Sequence, residues 1–121
     1  MNSIERESKV ITKLLQDTRN SKIIWQKYPY LILKSDKILT MGETFLLKSE
    51  GVYITKFKNR IFQIYNINNI KPYNIILELS RENSNTTDIQ FHSSSALIDL
   101  YEAIRNQESG LISYLDDFLM S

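Results

Sequence analysis

From Phe45 to Phe91 the chain is written largely in period two: runs that alternate apolar with polar residues, parted by residues that favour turns. Strands put successive side chains on opposite faces, so this stretch reads as an antiparallel sheet whose neighbours are joined by turns. Phe45-Leu46-Leu47-Lys48 is taken as the first run, with Gly51 leading into Val52–Phe57. If Asn59-Arg60 forms a two-residue hairpin loop, Phe57 faces Phe62, Thr55 faces Ile64 and Tyr53 faces Asn66. The opposite face then pairs Lys56 with Gln63 and Ile54 with Tyr65. Asn66 to Lys71 reads as a loop closed by Pro72. Tyr73–Ser80 places Ile75, Leu77 and Leu79 on one face and Asn74, Ile76 and Glu78 on the other. Residues 80 to 86 form a loop of turn formers, and Ile89 and Phe91 alternate with Asp88, Gln90 and His92. One face is therefore apolar and the other mixed, as in a sheet with one wet side.

The flanks read as helices. Asn2 or Ser3 caps a helix running to about Thr18, with Ile4, Ile11, Leu14 and Leu15 on one stripe and Arg6, Lys9, Lys13, Gln16 and Asp17 left for water. Trp25, beside Ile23 and Ile24, belongs at the seam between layers. Tyr30–Leu33 fits an edge strand, and Asp36–Met41 fits a further strand or a loop equally well. Ser93, Ser94 and Ser95 offer an N-cap for a second helix carrying Leu97, Leu100, Tyr101 and Ile104. Gly110 breaks or bends it before a last amphipathic stripe of Leu111, Ile112, Leu115, Phe118 and Leu119. The fold expected is α+β: residues 1–121 as a single domain, with a single antiparallel meander of about four to six strands and the N- and C-terminal helices packed on one face.

The sequence supplies little for catalysis. His92 is the only histidine and Cys is absent, so disulfides, thiolate sites and paired-histidine metal sites have no ligands. Asp88 is on the same face as His92, but four strand residues away, about 13 Å, too far for a hydrogen-bonded dyad. Asp116 and Asp117 diverge by about 100° on a helix and read as a solvated face. Three isolated glycines build no phosphate-cradling loop. No cofactor, metal ligand or catalytic residue is assigned.

The lack of Cys, a charged N-terminus without an apolar signal core and the lack of any membrane-length apolar run point to the cytoplasm. The wealth of Ile, Asn and Lys follows AT-rich codon usage, as in a low-GC bacterium, a phage or another mobile element. The function expected is a non-catalytic protein-interaction module, of an inhibitor, immunity or antitoxin type, that binds and blocks a partner protein. A homodimer is its simplest variant. The surface assigned is the mixed sheet face: Ile54, Lys56, Gln63, Tyr65, Ile76 and Glu78, whose blend of aromatic, aliphatic and polar groups suits an interface. It is open only if the N-terminal helix or residues 23 to 41 do not cover it. Nucleic-acid binding through the basic hairpin of Lys56, Lys58 and Arg60 is the first alternative, disfavoured by a net charge of only +1. Small-ligand binding is the second.

Overall fold

The computed structural model describes residues 2–35, 38–68, 70, 73–81 and 86–121. Their elements are α1 (Ser3–Arg19), β1 (Gln26–Tyr28), α2 (Met41–Glu50), β2 (Val52–Phe57), β3 (Arg60–Asn66), β4 (Ile75–Ser80), β5 (Ile89–Gln90) and α3 (Ser95–Met120). The strands form one antiparallel meander in the order β1-β2-β3-β4-β5. Asp36, the expected Pro72 turn and most of the loop before Thr86 lie outside the described residues.

Helices α1 and α3 share one face of the sheet, where Ile11, Leu14, Leu97, Leu100 and Ile104 bury Tyr53, Ile64, Ile75 and Leu77. Asn2 caps α1, its side-chain oxygen accepting the Glu5 amide at 2.8 Å. Trp25 sits at the seam, 7% exposed. Its indole N–H donates to Thr18 Oγ1 at 2.9 Å, and its backbone amide donates to Gln107 Oε1 at 3.2 Å. Gln107 in turn donates to the carbonyls of Thr18 and Ile23, tying the end of α1 to the middle of α3.

Four expectations are corrected. First, Phe45–Lys48 is helix, not strand. Thr40 and Glu43 form a reciprocal capping box that starts α2, and Gly51 ends it at φ 92°, a backbone that side chains with a Cβ rarely adopt. Second, the hairpin loop is Lys58-Asn59, both at positive φ (50° and 30°), so Phe57 pairs with Arg60 and Ile54 with Gln63. Positive φ at both central residues is what a tight hairpin requires to match the strand twist. The pairing moves by two residues, an even slip, so every side chain keeps its expected face. Third, Gly110 does not break the last helix: α3 continues from Ser95 to Met120. One glycine costs only about 1 kcal/mol in a helix. Ser94 is its N-cap residue but makes no side-chain cap hydrogen bond. Fourth, the edge strand is Gln26–Tyr28, and Tyr30–Leu33 is irregular.

The second face of the sheet is not wet. Leu47 of α2, with Tyr28 of β1 and Leu31, Ile32 and Leu39 from the segment after it, packs on Val52, Ile54, Tyr65, Ile67 and Ile76.

Candidate functional site

The residues assigned to an open partner-binding face are mostly inside. Gln63, Tyr65 and Glu78 are 0% exposed, and Ile54 and Ile76 are 8% exposed. Of the six only Lys56 is exposed. What the sequence shows as a half-polar surface is a buried network that fastens the segment above it. Gln63 Oε1 accepts the amides of Ile32 and Leu33, each at 2.9 Å, while its Nε2 donates to the Leu33 carbonyl and, at 3.0 Å, to Glu78 Oε1. Ser35 Oγ donates to the other Glu78 oxygen and accepts from the Tyr65 hydroxyl at 3.1 Å. Every polar group of this set satisfies another, which is what makes its burial tolerable. Burial pushes the Tyr65 phenol well above its ordinary range.

His92 is exposed and tied to α1. Its backbone amide donates to Glu7 Oε1 at 2.7 Å, and its Nδ1 lies 2.9 Å from Glu7 Oε2. Asp88 is engaged elsewhere: the Arg81 backbone amide, and then its guanidinium, hold the Asp88 carboxyl below the usual carboxylate range. Among the described residues no three His, Asp or Glu side chains gather as a metal ion would need. No helix among them is long and apolar enough to cross a membrane.

The hairpin cations Lys56, Lys58 and Arg60 are exposed, with Lys58 Nζ over the Phe57 ring at 5.5 Å. They lie at the end of a larger feature. β1 pairs only with Val52–Ile54, and Thr55 is buried with its hydroxyl donating to the Ile24 carbonyl, so Lys56 and Phe57 form an open edge of the sheet. Around that edge runs a groove of ≈ 1170 Å³, walled on one side by α1 and on the other by β1 and the β2–β3 hairpin. Its apolar lining comes from both sides of that edge, with Val10, Leu14, Ile23 and Phe62 on the face that α1 covers and Ile54 and Ile61 on the other. Its rim is basic: Arg6, Lys9 and Lys13 come from α1, Lys22 from the turn after it and Lys56 from β2. Asp17 is the single acidic lining residue, and it is neutralised by Lys13 at 3.0 Å. Arg6, Lys9, Lys22 and Lys56 have no ion-pair partner among the described residues.

The local causes are plain. Arg6, Lys9 and Lys13 are spaced i, i+3, i+7, which puts them on one side of α1 beside Val10 and Leu14. The three-residue β1 is too short to cover the end of β2. A smaller hollow of ≈ 450 Å³ lies between the end of α1 and α3, beside Asp99, Glu102 and Gln107. Beyond it α3 projects: Leu111, Ile112, Leu115, Phe118 and Leu119 are 49%, 52%, 57%, 66% and 78% exposed.

Sequence reasoning assigns Lys56 to the site but leaves Arg6, Lys9 and Lys13 as mere solvated residues. The signal that could have found them is their helical spacing. Comparison of the chain with known proteins finds no matching family model, no matching curated protein and no matching solved structure.

Proposed function

We propose that this chain is a non-catalytic protein-binding module of the cytoplasm, and that the groove between α1 and the open edge of β2 takes a helical segment of a partner protein, apolar on one side and acidic on its flanks. The single observation behind this reading is the groove's make-up, an apolar lining among five basic side chains and one acidic one. A helix laid with its apolar stripe inward desolvates that lining and presents its flanking carboxylates to Arg6, Lys9 and Lys13 on one wall and Lys56 on the other. The lining supplies affinity, and the rim supplies selection and faster encounter. Sequestering such a segment would block whatever it otherwise does, in keeping with an inhibitor, immunity or antitoxin role in a bacterium, phage or mobile element.

Nucleic acid is the competing occupant, supported by the exposed Lys56, Lys58 and Arg60. The apolar lining argues against it, because a phosphate backbone gains nothing there. The test uses a designed, fluorescent helical peptide with leucines at i, i+3, i+4 and i+7 and aspartates on both flanks, read by anisotropy. Binding should weaken at least about tenfold in the Lys9→Glu, Lys56→Glu variant, and a peptide with lysines on its flanks should not bind. Equal binding of both peptides, or none of the acidic one, would remove the proposal. So would preferred binding of a DNA or RNA duplex, with an affinity falling steeply with salt.

A further inference from the structure

We infer that in solution the groove is filled by a second copy of this chain, each copy laying the projecting half of its α3 into the groove of the other. This rests on the proposed reading of the groove and names an occupant for it. The projecting half is of the kind the groove accepts. From Gly110 to Met120 it is helical and extends about 16 Å. Its apolar residues lie open to water, from Leu111 at 49% to Met120 at 88% exposure, although the first half of the same helix is core. A free amphipathic half-helix on a folded domain is a surface that lacks its partner.

Charge selects the partner. After Arg105 the chain contains no further basic residue, while Glu108, Asp116 and Asp117 are acidic. Glu108 is already engaged by Lys27 at 3.5 Å. At about 100° per residue, Leu111, Leu115, Phe118 and Leu119 share one side of the helix, Asp116 stands beside that stripe and Asp117 on the far side, so the tail joins an apolar stripe to a net negative charge. The groove has the complementary character, apolar side chains lined by five cations and a single carboxylate. The chain's own groove is not its receiver, because α3 runs unbroken through Gly110 and its end is exposed throughout. A second copy meets no such restriction, and two-fold symmetry lets both tails dock at once.

Sedimentation of the whole chain over a range of roughly 1 to 200 µM should give a concentration-dependent dimer. Leu115→Asp with Phe118→Asp should weaken it about 1000-fold or more without altering the circular dichroism spectrum, since both positions are exposed. The charge assignment is tested by exchange. A Lys9→Glu, Lys13→Glu, Lys56→Glu variant has an acidic groove, in which only Arg6 and Lys22 remain as cations, and an acidic tail. An Asp116→Lys, Asp117→Lys variant has a basic groove and a basic tail. Each should be monomeric alone, and their mixture should dimerise, because both contacts then join opposite charges. A monomer at every concentration, a dimer that survives Leu115→Asp with Phe118→Asp, or a mixture that stays monomeric overturns the inference. Any of these leaves the groove reading standing if the designed acidic peptide still binds.

Discussion

Replacing Gln63 by leucine should release the segment that covers the second sheet face. The substitution keeps a similar volume at a position that is 0% exposed, so packing changes little and the hydrogen bonds carry the effect. Gln63 holds the amides of Ile32 and Leu33 at 2.9 Å and the Leu33 carbonyl at 3.3 Å, and it donates to Glu78 at 3.0 Å. Leu33 is 1% exposed, so water cannot replace what its amide and carbonyl lose. Ile32 is half-buried, and solvent can reach it. Each orphaned buried group costs about 1 to 3 kcal/mol, and Leu33 and Glu78 contribute three such groups. The added apolar surface of the introduced side chain returns roughly 1 to 2 kcal/mol. The net loss is about 1 to 8 kcal/mol, or a fall in Tm of roughly 4 to 32 °C for a chain of this size. Thermal melts followed by circular dichroism give the first number, and hydrogen exchange at Ile32 and Leu33 shows whether the segment opens before the rest. Glu78→Gln is the control: it keeps an acceptor for Gln63 and should cost less than about 1 kcal/mol. A Gln63→Leu melt within about 2 °C of the parent, with both amides as protected as before, would falsify the claim that this network fastens the cover.

Two other perturbations probe the core. Tyr53, Tyr65 and Tyr101 are at most 1% exposed, and burial raises all three phenols, that of Tyr101 to about 12. The unfolded chain therefore gives up these protons first as pH passes 10, so stability, fully present below that pH, falls above it by about 1.4 kcal/mol per unit for each group, about 4 together. Urea unfolding at steps from pH 9 to 12 should show this limb, and Tyr65→Phe should lessen its slope by about a third; an unchanged slope would count against Tyr65 remaining neutral. Thr18→Val, which strands the Trp25 indole N–H in a buried seam, should cost about 1 to 3 kcal/mol in urea unfolding. A loss below about 0.5 kcal/mol would show that the seam does not depend on that bond.

The meander from Val52 to Phe91 is legible because period two survives any even slip of register. Tyr53, Ile64 and Leu77 keep the face assigned to them although Phe57 pairs with Arg60 instead of Phe62. α2 is misread from Phe45-Leu46-Leu47, which suits a strand, because the start signal that outweighs it, Thr40 with Glu43, stands just upstream of the apolar run. Alternation reports only that two faces differ in polarity. Whether the more polar one meets water depends on what the rest of the chain lays over it, and that is a long-range fact. Gln63 and Glu78 look like surface residues in sequence because their partners, Leu33 and Ser35, lie about thirty to forty positions away in a segment without periodicity.

The same long-range dependence moves the proposed binding surface. Covering the mixed face removes Tyr65 and Ile76 from contact with any partner, yet it leaves the β2 edge beyond Thr55 uncovered, since β1 ends its pairing at Ile54. α1 lies on the opposite side of that edge for a different reason, to bury Ile11 and Leu14 against α3 and the sheet. Two packing solutions reached independently thus leave a trench between them. Core packing fixes the apolar lining of this trench but not the charge of its rim, because Arg6, Lys9, Lys13, Lys22 and Lys56 point to solvent and contribute little to folding. With Lys13 paired to Asp17, the four other cations around the trench repel one another, a small cost that stability alone does not require. The tail of α3 bears the matching cost in reverse, its exposed leucines and phenylalanine accompanied by acids with no base after Arg105. The proposed docking of one on the other would relieve both costs together, so neutralising the rim alone, with Lys9→Gln and Lys56→Gln, should leave the monomer as stable as before or more so while weakening binding of the designed acidic peptide.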